Sequence, residues 1–320
     1  IKTMVIHSGL ALPGMSSLMN YMQIAATENT IYTSPDASKI FCYTPSILVT
    51  PTGRLIVSFD LGGEGVKSIE GHKSSRAGGS RFGQGKIFIS DDNGQKWTFV
   101  QNFPFWHARL FTIGNSIYLI GHAGDICIMK SEDNGESWSD TYFLTHGEKW
   151  HSSACNVLFS NGNVYLAMEQ RCRLNEVTGW DVAGLSPTLF RACVEDNLCL
   201  ASSWSRSEKF IYKEVFDGAK LDFFGIPFYD CETNKPKEIA TGINNAPLGW
   251  LEANVVKFVD KDHIWHTDLK EVFHLFLRAH TGGVNYAHLF KIEIQDDQSM
   301  IPSLEHTPSG QKISYIPFPG

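Results

Sequence analysis

Four side chains in this sequence could together move protons on a sugar acid: His107, His122, His151 and Arg171. Elimination beside a carboxylate needs a cation to neutralise the charge and so acidify the neighbouring C–H. It also needs a base for that proton and a donor for the leaving oxygen. Arg171 suits the first task, one imidazole the second, and a His or Tyr the third. Tyr43 and Tyr286 are the candidate tyrosines. His107 and His122 flank the turn dipeptide Gly114-Asn115. A hairpin symmetrical about that dipeptide would place the two imidazoles directly cross-strand. Around this triad of His107, His122 and Arg171, the residues Tyr43, His151, Glu169, Glu252 and Arg278 are candidates for substrate binding. Glu169, Glu252 and Asp60 also have the chemistry of a glycosidase acid or base, although a carboxylate in such a place often only neutralises an arginine. His263, His266, His274 and His288 read as structural or surface groups.

These residues sit at the ends of short apolar segments. Runs rich in Val, Ile, Phe, Tyr and Trp alternate with Gly, Asn, Asp and Pro turns, and no sustained 3.6-residue period appears after about residue 25. The chain is therefore expected to be all-β. Strands are expected at 46–49, 55–59, 86–90, 116–120, 126–130, 156–159, 163–168, 254–258, 272–278 and 287–294. Hydrophobic residues make up 42% of the 320 and charged residues 19%, enough apolar content for a folded core and too little charge for a disordered chain. With 27 Lys and Arg against 34 Asp and Glu, the net charge of −7 disfavours nucleic acid as a partner. No apolar run reaches membrane-spanning length, and the first 30 residues lack a signal-peptide pattern. Ile1 and the closing stretch from Tyr315 to Gly320 read as cut ends of a longer protein. Seven cysteines contain no C-x-x-C pair. Cys193 and Cys199 are close enough in sequence to bridge a hairpin, and the others read as small buried hydrophobes.

One eight-residue pattern occurs twice. Ser90-Asp91-Asp92-Asn93-Gly94-Gln95-Lys96-Trp97 and Ser131-Glu132-Asp133-Asn134-Gly135-Glu136-Ser137-Trp138 both read S-x-D-x-G-x-x-W, each follows a strand, and they start 41 residues apart. Ser and Asp can bond turn amides, Gly can take positive φ, and Trp can pack back between sheets. The spacing matches one four-stranded propeller blade. On these motifs the sequence resembles the Asp-box, sialidase-like β-propellers. The expected fold is a single β-propeller domain over 1–320, with blades near 41–97, 98–138, 142–212 and 246–296 and a fifth begun near Gln311. Six or seven blades would complete the ring, residues 217–247 are expected to be an insertion or a decayed blade edge, and a degenerate box is expected around Ser202 to Ser207.

The resemblance narrows further at the site. Tyr43-Thr44-Pro45 stands where sialidases begin their first inner strand with Arg-Ile-Pro, so the first substrate arginine is missing. Arg109, Arg171 and Arg278 remain available for an anion. The His, His, Arg set resembles the propeller polysaccharide lyases of the ulvan and rhamnose-glucuronate type. That resemblance implies an enzyme cleaving uronic-acid glycans by β-elimination, in a secreted or periplasmic protein with an oligo- or polysaccharide partner and neither nucleic acid nor membrane. The alternatives are a sialidase-like glycoside hydrolase and a non-catalytic carbohydrate-binding propeller. No cofactor is required. A structural calcium ion would fit such a channel, but no local ligand cluster calls for one.

Overall fold

The computed structural model describes residues 3–8, 27–75, 82–151, 155–172, 185–209, 229–230, 235–236, 249–257, 272–281, 284–304 and 316–317. The chain falls into two compact units, Ile1–Ala123 with Cys127–Tyr142, and Gly124–Ile126 with Phe143–Gly320. It is all-β, and its main sheets are antiparallel paths of four strands, the form of a propeller blade.

In the first unit β1 (Thr3–Ser8) pairs with β2 (Thr27–Thr33). The first sheet contains β3 (Phe41–Val49), β4 (Leu55–Gly62), β5 (Ser74–Ser75), β6 (Phe82–Ser90) and β7 (Thr98–Phe103). There β3 pairs with β4, β4 with β6 and β6 with β7, while β5 lies against the start of β6. The second sheet runs β8 (Trp106–Ile113), β9 (Ser116–Ala123), β10 (Asp125–Ser131) and β11 (Tyr142–Phe143). The expected limits of 41–97 and 98–138 therefore shift. Residues 98–103 return as the outer strand of the first sheet, because Thr98 and Phe99 pair with Ile89 and Phe88.

The second strands β4 and β9 are each buried over six successive residues. A strand covered on both faces must be apolar almost throughout, so Asp60 and His122, both buried near its end, are exceptions that need partners. Between the two sheets lies a core of Ile56, Ile87, Phe103, Phe105, Leu110 and Leu119, among others, and Trp138 packs against it. The two repeated turns are built alike. Ser90 Oγ accepts the Gly94 N–H and Ser131 Oγ the Gly135 N–H, each at 2.9 Å. Asp92 and Asp133 accept the amides of Lys96 and Ser137. Gly94 and Gly135 sit at φ 81° and 88°, a region other residues resist. Arg54 joins both copies: it binds both carboxylate oxygens of Asp91 and also reaches the Asn134 carbonyl and Glu136.

In the second unit the third sheet comprises β12 (Trp150–His151), β13 (Val157–Ser160), β14 (Asn163–Arg171), β15 (Leu185–Cys193) and β16 (Trp204–Arg206). β12 and β13 both pair with β14 and act as one interrupted inner strand. β17 (Tyr229–Asp230) and β18 (Lys235–Pro236) pair with each other inside the expected insertion, whose remaining residues lie outside the described set. The fourth sheet is β19 (Gly249–Val256), β20 (Val272–Thr281), β21 (Val284–Ile294) and β22 (Met300–Leu304), with β23 (Ile316–Pro317) added to β21. Gln311 lies outside the described residues, and the strand that follows it joins the fourth sheet instead of opening a fifth.

In the segment expected to hold a degenerate box, Trp204 Nε1 donates to the Leu198 carbonyl at 2.9 Å, six residues back, whereas Trp97 Nε1 donates to Gly94, three residues back. One further expectation is corrected: Cys193 and Cys199 carry thiols and form no disulfide.

Candidate functional site

Three of the four inner strands pair with their second strands through a local irregularity at the same end. In the first sheet the register runs Tyr43↔Asp60 and then Ser46↔Ser58. In the second it runs Trp106↔His122 and then Arg109↔Ile120. In the fourth it runs Leu251↔Arg278 and then Asn254↔Phe276. Each of these three inner strands thus carries one extra residue, a β-bulge. At the apex of each bulge a non-glycine residue is held left-handed: Thr44 at φ 45°, His107 at 54° and Glu252 at 59°. Such backbones cost about 1–3 kcal/mol apiece and persist only where their surroundings enforce them.

The bulge corrects the expected hairpin geometry. Symmetry about Gly114-Asn115 holds from Ile113↔Ser116 to Arg109↔Ile120 and then slips by one, so the Cα partner of His122 is Trp106. The imidazoles nevertheless meet. His122 Nε2 lies 3.2 Å from His107 Nδ1, with ring centroids 5.1 Å apart. His122 is buried and His107 only partly so. The bond requires one of these two nitrogens to carry a proton and the other a lone pair. If His107 is the donor, its lone pair lies on Nε2, and that nitrogen has the chemistry of a base.

Around this pair, the His107 N–H donates to Asp60 Oδ1 at 3.1 Å. The Leu110 N–H donates to Ser46 Oγ, and Arg109 Nη1 to the Pro45 carbonyl. Side chains and loop carbonyls therefore take the place of a sheet ladder between neighbouring inner strands. Trp106, buried, lies flat on Gly83: a Cβ there would fall 1.9 Å from the indole. Gly83→Ala should cost about 1–3 kcal/mol by overpacking, read as a lower urea midpoint; an unchanged midpoint would show the indole free to move. Tyr43 is 46% exposed and rests on Gly62, where a Cβ would lie 2.7 Å from its ring. It offers an aromatic face and a phenol to a sugar.

The second unit holds a related group. His151 is the register partner of Glu169, and its Nδ1 lies 3.1 Å from Glu169 Oε2. Glu169 Oε1 accepts the Ala253 N–H at 2.9 Å. The carboxyl is 1% exposed, and burial pushes its pKa up to about 8, against the opposing pull of the Ala253 and Glu252 amides and the Arg171 charge. With both oxygens engaged inside the protein, Glu169 can orient His151 but does not itself face solvent. Neighbouring inner strands are again cross-linked by side chains: Asn156 Oδ1 accepts the Val255 N–H, and Asn156 Nδ2 donates to the Val255 carbonyl.

The structure thus brings His107, His122 and Asp60 together in the first unit, and His151, Glu169 and Arg171 in the second. Arg278 and Tyr286 lie in β20 and β21. Glu252 is a bulge apex and Asp60 an amide acceptor, roles that sequence reasoning missed. A signal was present: Thr44-Pro45-Ser46, His107-Ala108-Arg109 and Glu252-Ala253-Asn254 each place a small residue and then a polar one after the apex. Among the described residues, no group of three or more His, Cys, Asp or Glu is placed to hold a metal ion.

No protein-family model and no curated protein matches the chain. Solved structures are similar at low identity. An α-L-arabinofuranosidase from Lactobacillus brevis is 13% identical, with 87% of this chain and 82% of that one covered and a TM-score of 0.49. An α-L-arabinanase from Penicillium chrysogenum, complexed with arabinobiose, is 11% identical over 85% and 69% of the two chains, with a TM-score of 0.42. A GH43 protein from Bacillus licheniformis is 12% identical over 90% and 49%, with a TM-score of 0.43. Similarity of this degree assigns neither activity nor substrate to this chain.

Proposed function

We propose that the protein is a carbohydrate-active enzyme of propeller type that cleaves uronic-acid glycans by β-elimination at the His107 end of its first unit. The observation that carries this reading is the partly exposed His107 imidazole, bonded through Nδ1 to buried His122 and fixed at a left-handed backbone by Asp60. A base preorganised in this way needs little rearrangement as the reaction proceeds. In the proposed step His107 Nε2 takes the proton from the carbon beside the carboxylate. That electron pair forms a double bond to the next ring carbon, whose bond to the glycosidic oxygen breaks. The oxygen leaves protonated, and the exposed phenol of Tyr43, the register partner of Asp60, is the candidate donor.

Hydrolysis has one observation in its favour, a carboxyl at Glu169 that keeps its proton to about pH 8. A glycosidase acid needs that property, but it must also touch the leaving oxygen, and Glu169 is enclosed. Incubation with uronate-containing polysaccharide decides among the readings. Elimination should raise the ultraviolet absorbance of an unsaturated uronate. New reducing ends without that absorbance would replace this reading with hydrolysis, and binding without either would replace it with a carbohydrate-binding module.

A further inference from the structure

We infer that Asp60 and Glu169 are positioning residues, each holding the left-handed bulge of the next sheet's inner strand and thereby setting the side chain at its apex, His107 in one case and Glu252 in the other. Both are buried carboxylates near the end of a second strand, and each lies opposite an inner-strand residue of its own sheet, Tyr43 or His151. Each reaches out of that sheet to a bulge in the following one of the same unit. A bulge breaks the ladder and leaves backbone N–H groups without their usual acceptor. Turns that present successive N–H groups attract acceptor oxygens, and here the chain provides its own. Asp60 meets the first bulge residue, His107, at 3.1 Å. Glu169, one methylene longer, meets the second, Ala253, at 2.9 Å, and also draws on the Glu252 amide. A carboxyl oxygen accepts such an amide in either protonation state, and each bond holds a conformation that L-residues resist. The same device in two units with different acids makes a positioning role the economical reading of both. It also removes both carboxylates from the set of groups that touch substrate.

That His107 contacts substrate rests on the function proposed above; that Asp60 sets its backbone does not. The test uses the full chain, labelled with nitrogen-15. In the unaltered protein the amides of His107 and Ala253 should exchange about 100-fold more slowly than unstructured amides, although both sit at ladder breaks. Asp60→Asn keeps an oxygen acceptor and should retain protection at His107 and the hydrogen-bonded imidazole signal of the His107–His122 pair. Asp60→Ala should lose both, and Glu169→Gln should retain protection at Ala253. Rapid exchange at His107 and Ala253 in the unaltered protein would overturn the inference, as would a folded Asp60→Ala variant with protection and imidazole signal intact. If Asp60→Ala fails to fold, exchange in the unaltered protein and in Asp60→Asn decides alone. Turnover of uronate polysaccharide is measured on the same samples. Its absence everywhere, with the exchange pattern as expected, would overturn the proposed reaction and leave the positioning role standing.

Discussion

His107→Ala should lower the rate of uronate elimination by about 10²–10⁴-fold, the contribution of a positioned general base, with the β-sheet circular dichroism unchanged. The imidazole it removes is partly exposed at a strand end, so no large cavity forms. The loss should fall on kcat, because the proton transfer exists only in the transition state. His122→Ala should act through the same base. Without the bond at 3.2 Å, the His107 ring loses the contact that fixes which nitrogen carries its proton, so kcat falls with the imidazole still in place. An unaltered rate in His107→Ala would take that residue out of the mechanism. The pH dependence has a defined sign as well. Protonation abolishes a base, so the rate at about pH 5 should lie well below that at about pH 8; a flat profile would exclude an imidazole base.

The second large effect is on stability, at Glu169. Its carboxyl holds its proton to about pH 8 in the folded protein, whereas an unfolded glutamate releases it near 4.3. Between these values the native state binds the extra proton. Stability is therefore fully present at the acid end and declines as pH rises through the window, by up to about 1.4 kcal/mol per pH unit. Glu169→Gln removes this titration while its amide can still accept from Ala253 and donate to His151 Nδ1. Urea unfolding from pH 5 to 8 should show a flatter stability profile for Glu169→Gln than for the unaltered protein, with the two converging at the acid end. A constant difference across that range would show that Glu169 does not carry the proton. Glu169→Leu should be destabilising at every pH, since it strands the Ala253 N–H and the His151 ring at about 1–3 kcal/mol for each buried unpaired group.

Local features of the fold are visible along the chain, whereas features made by distant partners are not. Strand positions were legible because burial of β4 and β9 on both faces demands apolar runs, and such runs are visible in one dimension. The repeated turns were legible for a similar reason. The Ser, Asp and Gly of Ser90–Gly94 bond one another across four residues, so the pattern is local. The outer strand Thr98–Phe103 was assigned to the wrong sheet because nothing local says which neighbour a strand returns to.

At the site, the residue types were legible and their partners were not. Composition and spacing pointed to His107, His122, His151, Glu169 and Glu252 as polar groups at the ends of apolar strands, and the turn at Gly114-Asn115 placed the first two within reach of each other. Only the folded chain decided that the hairpin slips by one residue at His107, that Asp60 reaches across to that slip, and that Glu169 does the same for Glu252 and Ala253. Periodicity along a strand is a property of neighbouring residues, so it survives in the sequence. The bulges, in contrast, are held by carboxylates 47 and 84 positions away, and a bond between strands of different sheets exists only once both sheets have packed.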